Sequence, residues 1–369
     1  SNKLQVHGFL SAYAVKADKN VDHTAAGYEN LVNYNPNTKF GIQFDYAVTD
    51  SVDAVLQMTA KGYEANNFAE KAEWGFLRYQ LNDDWMFRVG RMRTPTYMYS
   101  ESSDVGFSYP WARLPLEAYL IGFENYSGIN ANYALHTGNW LHEFQAYAGT
   151  NNQETHEALV NTRKQSGIAI TSTIGAWTLR VAHTYVGDVG ITSPSIADTG
   201  IQVTYDSMGL RYDDGTWLAS TEAISYEPRK SAPILGQTAG YFMLGRHVGK
   251  WMPYASYAVL TTTDAQEDKA VDYYTETVRS ALADNVYKET YQTVLATTEG
   301  GYAEAKAAAE LVANNMAANA VSEFDRVLAG NKQALLEGRT LNVAGTDIAI
   351  PGQFVRADMR SITLGLRYD

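Results

Sequence analysis

The side chains that could make or break bonds are present but never grouped. The chain has no cysteine, which removes thiol catalysis, disulfides and Cys-ligated zinc. Its seven histidines (7, 23, 136, 142, 156, 183 and 247) are scattered, and no HExxH pair occurs. There is no Gly-x-Ser-x-Gly elbow. The acids Asp264, Glu267, Asp268, Asp272 and Glu276 lack the spacing and the glycine of an EF-hand. The expectation is a protein that is not an enzyme and needs no cofactor and no metal. The net charge of −12 also argues against a nucleic-acid partner, which calls for a basic surface.

What remains is the chemistry of fixed charge. The stretch 96–120 carries Glu101, Asp104, Arg113 and Glu117 among many aromatic rings. Arg78, Arg88, Arg180, Arg211 and Arg367 fall on the polar sides of alternating segments elsewhere. If 96–120 folds into the mouth of a β-barrel, its charges form a constriction with arginines on the wall opposite. Such an arrangement gives a transverse field that orients dipolar solutes and screens ions. For any single residue, the alternative of a solvated charge lining a wide wet lumen stands beside this reading.

The elements that would hold these charges are strands. In Lys39–Val48, Phe40, Ile42, Phe44, Tyr46 and Val48 share one face, while Lys39, Gly41, Gln43 and Asp45 share the other. This is the period of a strand with one apolar and one polar side. Ile129–Leu135 and Ile362–Tyr368 repeat it; 71–81, 200–213 and 217–227 lose phase, which predicts bulges. Short turns are expected near 49–51, 82–84, 137–139, 175–176, 213–216 and 248–250. Longer links alternate with them at 15–37, 64–70, 96–120, 150–160, 187–199, 228–235 and 264–353. Short turns on one rim and long loops on the other are the habit of outer-membrane barrels. No run of 18 apolar residues is present and mean hydropathy is −0.30, so a transmembrane helix is not expected. A barrel wall needs apolar residues only at alternate positions.

Trp85, Trp140, Trp177, Trp217 and Trp251 each open a segment directly after a short turn. Indole favours the membrane–water interface, so these five are expected to form a girdle at the short-turn rim. The alternative is that tryptophan simply packs well at strand starts. About fourteen strands are counted, and sixteen are expected in the intact protein; a true fourteen-strand barrel is the alternative. The start, Ser-Asn-Lys-Leu-Gln-Val, has no apolar signal core, which fits a mature form after signal-peptide removal.

Residues 265–340 break the pattern. Asp264–Thr298 suits a helix, with Val271, Tyr274, Val278, Leu282, Val286 and Tyr291 as its apolar positions; Gly300-Gly301 interrupts it, and Tyr302–Leu336 resumes with Ala, Glu and Lys. An α-helical hairpin on the long-loop, extracellular rim is expected, placed to cap the pore, to stand above it or to contact a protein partner.

Three stretches resemble the outer-membrane general porins of marine and related gammaproteobacteria. They are Arg88-Val89-Gly90-Arg91-Met92-Arg93-Thr94-Pro95, Gly106-Phe107-Ser108-Tyr109-Pro110-Trp111-Ala112-Arg113-Leu114-Pro115, and Gly245–Tyr257. The ending Arg360–Asp369 is similar too. The resemblance implies a sixteen-strand homotrimer with an inward third loop. The helical insertion is longer than the family's habit.

Together these readings predict an all-β transmembrane antiparallel barrel. Its strands lie in 1–263 with the constriction loop 96–120, a helical extracellular insertion occupies 264–353, and a late strand follows in 354–369. The expected place is the bacterial outer membrane, among lipid and lipopolysaccharide. The expected function is passive diffusion of small hydrophilic solutes and ions. A substrate-selective channel and a surface scaffold or adhesion barrel are the alternatives.

Overall fold

The computed structural model describes residues 3–16, 32–34, 37–62, 68–119, 124–154, 159–192, 197–229, 236–298, 302–329, 340–343, 346–349 and 359–368. Alternating segments become strands in chain order: β1 (Leu4–Ser11), β2 (Lys39–Ala47), β3 (Val52–Gly62), β4 (Phe68–Gln80), β5 (Trp85–Arg93), β6 (Asn125–Thr137) and β7 (Trp140–Glu154). Then follow β8 (Leu159–Ile174), β9 (Trp177–Thr192), β10 (Ala197–Asp213), β11 (Trp217–Pro228), β12 (Gln237–Arg246) and β13 (Trp251–Thr261). After the helices come a small hairpin, β14 (Thr340–Val343) and β15 (Thr346–Ala349), and finally β16 (Met359–Tyr368). β1 to β13 and β16 form one fourteen-stranded antiparallel sheet in which sequence neighbours are also neighbours in space. β14 and β15 pair only with each other.

Tight turns are built by local chemistry. Gly138 and Gly175 take φ of 59° and 53°, left-handed values at which a side chain is strained. They open the turns before Trp140 and Trp177. Before Trp85 and Trp217 a side chain does the work. Asn82 Oδ1 accepts from the N–H of Asp84 and Trp85, and Asp214 Oδ1 accepts from those of Thr216 and Trp217.

Two of the three segments that lose phase contain register shifts. In β4, Gln57 faces Trp74 while Met58 faces Ala72, so Glu73 is the extra residue of a bulge. β10 shifts twice against β9, between Asp198 and Val203. The third segment corrects the expectation. β11 alternates in burial without a break over its first eight residues. Its pattern is obscured because its outward positions are small or polar (Ala219, Thr221, Ala223, Ser225), while its inward Leu218 and Ile224 are apolar and covered.

The sheet curls around one loop. Tyr13, just past β1, donates to Ala112 O, and Arg367 of β16 donates to Tyr109 O at 3.2 Å. First and last strands thus reach the same loop from opposite sides, and the space between them is a lumen. Among the described residues β1 and β16 share no ladder.

The chain divides into two compact units. The first is Ser1–Tyr226, Thr238–Leu260 and Met359–Asp369; the second is Glu227–Gln237 and Thr261–Asp358. A short helix, α1 (Leu116–Tyr119), belongs to the first, and α2 (Asp264–Thr297) and α3 (Tyr302–Ala329) to the second. Thr263 caps α2 in a capping box with Gln266. On α3, Ala305, Ala309, Ala313 and Ala317 recur every fourth residue and are all buried, followed by Phe324 and Leu328. This small-residue stripe lets α3 lie close to α2. The described part of α3 stops at Ala329; the expected extension to Leu336 lies outside the described residues.

Candidate functional site

Residues 94–119 leave β5 and turn inward instead of standing on the rim. Thr94, Thr96, Tyr97, Tyr99, Tyr109 and Trp111 are each 5% exposed or less, which a loop in solvent does not achieve. Its contacts run around the sheet. Thr94 Oγ1 accepts from Gln165 of β8 (2.7 Å), Pro95 O from Arg180 of β9 (2.8 Å) and Thr96 O from Ser207 of β10 (2.8 Å). Met98 N–H donates to Glu222 of β11 (2.9 Å), and Ala112 N–H to the Tyr254 hydroxyl of β13 (3.1 Å). On the near side, Ser103 O accepts from Lys39 of β2 (2.8 Å), and Asp104 pairs with Lys61 of β3 (2.9 Å). The loop is a brace across the lumen.

Two anchors hold it. The first is ionic. Asp104 and Glu73 both pair with Arg93, which is 5% exposed; Glu73, aimed by its bulge, is fully buried and also pairs with Lys61 at 2.9 Å. Lys39, Lys71 and Glu124 complete the cluster. Burial pulls the Asp104 carboxyl upward, but Arg93 and Lys61 outweigh it and hold it below the ordinary carboxylate range. The second anchor is aromatic. Trp111 meets Tyr241 of β12 edge-on at 5.1 Å and Tyr99 at 5.8 Å, and Tyr97 meets Tyr119 at 5.5 Å. Beside these rings Glu222 is buried, and one of its oxygens accepts from the Tyr119 hydroxyl at 2.9 Å.

The candidate charges are thereby placed. Glu101 accepts from Arg88 (3.1 Å) and from Gln145 of β7 (3.4 Å), so it is neutralised on the spot and does not face an arginine across the lumen. Asp104 is locked into the ionic anchor. Arg113 lines a cavity of about 240 Å³ with Tyr13, Lys39, Asp104 and Glu124. Burial lowers the pKa of its guanidinium against the raising effect of Glu117, which sits in the first turn of α1. Arg88, Arg180 and Arg367 bond the loop, whereas Arg78 pairs with Asp53 (2.9 Å) and Arg211 with Asp213 (2.6 Å) on the wall. Arg78 also lines a second cavity of about 310 Å³ with Lys3, Gln5, His7, Gln43 and Asp45. Trp85, Trp140, Trp177, Trp217 and Trp251 are all exposed at the first residue of their strands.

Sequence reasoning did not single out Glu73, Arg93, Lys61 or Glu222. Glu73 and Glu222 sit where the alternation loses phase, and an acid on an inward strand position there was the available signal. Among the described residues no group of three or more His, Cys, Asp or Glu is arranged to hold a metal ion, and no helix is long and apolar enough to cross a membrane.

No protein-family model and no curated protein matches the chain. Solved structures do. A loop-deleted OmpT, an outer-membrane protein of Vibrio cholerae, is 12% identical with a TM-score of 0.45, covering 70% of this chain and 82% of that one. OmpF of Salmonella typhi, solved with daunomycin, is 10% identical with a TM-score of 0.48, covering 70% and 79%. An anion-selective porin from Comamonas acidovorans is 12% identical with a TM-score of 0.38, covering 71% and 90%.

Proposed function

We propose that the chain is an outer-membrane porin, a passive diffusion channel for small hydrophilic solutes and ions, whose passage is set by the loop 94–119. The observation that carries this reading is the brace itself: a loop bonded to strands on every side of a curled sheet narrows whatever crosses it. The two faces of the wall support it. Phe40, Ile42, Tyr46, Leu77, Val89 and Ile129 are exposed on the outward side, while Lys39, Gln43, Asp45, Arg88 and Asn130 turn to the loop side. Apolar outside and polar inside is the order of a wall between lipid and water. Exposed tryptophans at one level suit a headgroup boundary, where lipid and lipopolysaccharide are the neighbours.

In this reading no bond is made or broken, no cofactor or metal takes part, and the solute gradient drives transport. A homotrimer is the assembly we expect. The aromatic anchor favours a second reading, a substrate-selective channel, because rings along a narrow passage bind some solutes better than others. A scaffold reading, with a partner on the helices, is favoured by Leu311, Val312 and Met316, which are exposed on α3.

The test is single-channel recording in a planar bilayer under a salt gradient. Discrete ohmic steps with a defined reversal potential are expected. Folded, inserted protein that stays silent would contradict the diffusion reading.

A further inference from the structure

In the proposed channel, on which the transport side of this inference rests, a solute entering from the long-loop rim passes the ends of β2, β5 and β6. A cavity of about 240 Å³ lies at that level, where Lys39 opens β2 and Arg93 closes β5. Its other side is the returning limb of the loop: Arg113 and Leu114, then Leu116 and Tyr119 of α1. The question is what such a cavity would hold, and the lining groups answer it by what they have left to offer.

The phenols are already committed. Tyr13 donates to Ala112 O, Tyr109 to Ser103 O at 3.3 Å, and Tyr119 to Glu222 at 2.9 Å. A neutral polyol would therefore find few donors. Asp104 is committed too, with one oxygen 2.9 Å from Lys61 and the other on Arg93. A cation would have to displace one of these. The basic groups keep capacity, since an ammonium has three donors and a guanidinium five. Lys39 spends one on Ser103 O at 2.8 Å and stands 3.7 Å from Asp104. For Arg113, burial weighs more on the charge than its neighbour Glu117 does, so it gains from a second acid.

Charge then sets the valence. Among the described residues, the ionic anchor and the loop limb hold five cations, Lys39, Lys61, Lys71, Arg93 and Arg113. Against them stand four acids, Glu73, Asp104, Glu117 and Glu124. Five less four leaves one positive charge, in a chain whose net charge is −12. One carboxylate cancels it, and a dianion overshoots. The rest of the lining is hydrocarbon: Leu114, Leu116 and the ring of Tyr119, whose hydroxyl is taken by Glu222. At about 30 Å³ per water the space equals roughly eight waters, room for an acid the size of benzoate.

We propose that this cavity binds a small monocarboxylate with an apolar body, its carboxylate held by Arg113 and Lys39 and its body against Leu114, Leu116 and Tyr119. Charge-assisted hydrogen bonds supply the orientation, and the apolar wall distinguishes this guest from a bare anion such as acetate. The loop that narrows the passage thus also carries the selective half of the site, because Arg113, Leu114, Leu116 and Tyr119 all belong to it. In transport, such an acid would pause here on its way through and would occupy the site at concentrations where other small ions pass unheld.

The test is calorimetric titration of the full-length chain, folded in detergent, with sodium benzoate, sodium acetate and benzylamine hydrochloride. Benzoate is expected to bind saturably, one per chain, with acetate and benzylamine each about tenfold weaker or more. Arg113→Gln should weaken benzoate about tenfold, and Leu116→Ser should weaken benzoate while leaving acetate as it was. Folding of each variant is checked by its heat-sensitive mobility on gels. Absence of saturable benzoate binding to the folded wild type would overturn the proposal. So would benzylamine binding as tightly as benzoate, or a folded Arg113→Gln chain that binds benzoate as the wild type does. Planar-bilayer recording of the same protein separates the two readings. Benzoate-dependent interruptions of the current, lost in Arg113→Gln, would support the site as a stop on the passage. A chain that binds benzoate but never conducts would keep the site and end the channel reading.

Discussion

Two excursions leave this sheet, and they are stabilised in opposite ways. Loop 94–119 has little regular structure, and its polar groups are satisfied by residues far away in sequence: Met98 by Glu222, Ala112 by Tyr254, Tyr109 by Arg367. The helical pair is satisfied from within. Its turns bond themselves, its alanine stripe packs one helix on the other, and Arg279 of α2 meets Asp325 of α3 at 2.7 Å. The loop's shape is therefore a property of the whole wall, and the helices' shape is a property of 264–329. Damage to one should leave the other nearly untouched.

Arg93→Ala should separate them most sharply. It removes the buried cation that Glu73 and Asp104 share, leaving them to the lysines of the cluster, and breaking a buried pair costs about 3–5 kcal/mol. A lower urea midpoint for the barrel and noisier, larger current steps are expected, with helical circular dichroism unchanged. Trp111→Ala removes the ring between Tyr99 and Tyr241 and should cost about 3 kcal/mol, read by the same unfolding curve. In the helical unit, Ala313→Leu overfills the stripe and should cost about 1–3 kcal/mol, lowering the helical melt while conductance holds. Thr263→Ala removes the α2 cap and should cost about 1 kcal/mol, seen as a small loss of ellipticity.

Acid offers a reversible version of the first experiment. The folded value of Asp104 is depressed, so its contribution is fully present above the unfolded carboxylate value of about 3.9 and is lost as pH falls through the lower folded value. Conductance should stay steady as pH falls to the unfolded value and become noisy below it. In Asp104→Asn the loop should be noisy at neutral pH, and this acid step should be absent.

Much of the wall was legible from residues alone. The alternation over Lys39–Val48 is β2, and each short turn before a tryptophan is found, because side-chain period and turn chemistry are local. The helices were legible for the same reason. The brace was not. That 96–120 turns inward could be expected, but the pairing of Asp104 with Arg93 and Lys61 depends on a bulge that aims Glu73 into the same cluster, and neighbouring residues do not encode which strand lies across a lumen. Glu101 shows the limit. Its partner is Arg88 on the adjoining wall, so its charge holds the loop.

On the proposed channel reading, the loop sets the passage and the helical pair does not. The direct measurement is solute entry into liposomes with sugars of graded size, comparing wild type, a chain with 97–118 replaced by a short Gly-Ser linker, and a chain lacking 265–329. The account predicts that shortening the loop raises the size limit and speeds entry severalfold, while removing the helices changes neither. A size limit that rises when the helices are removed, and stays fixed when the loop is shortened, would contradict it.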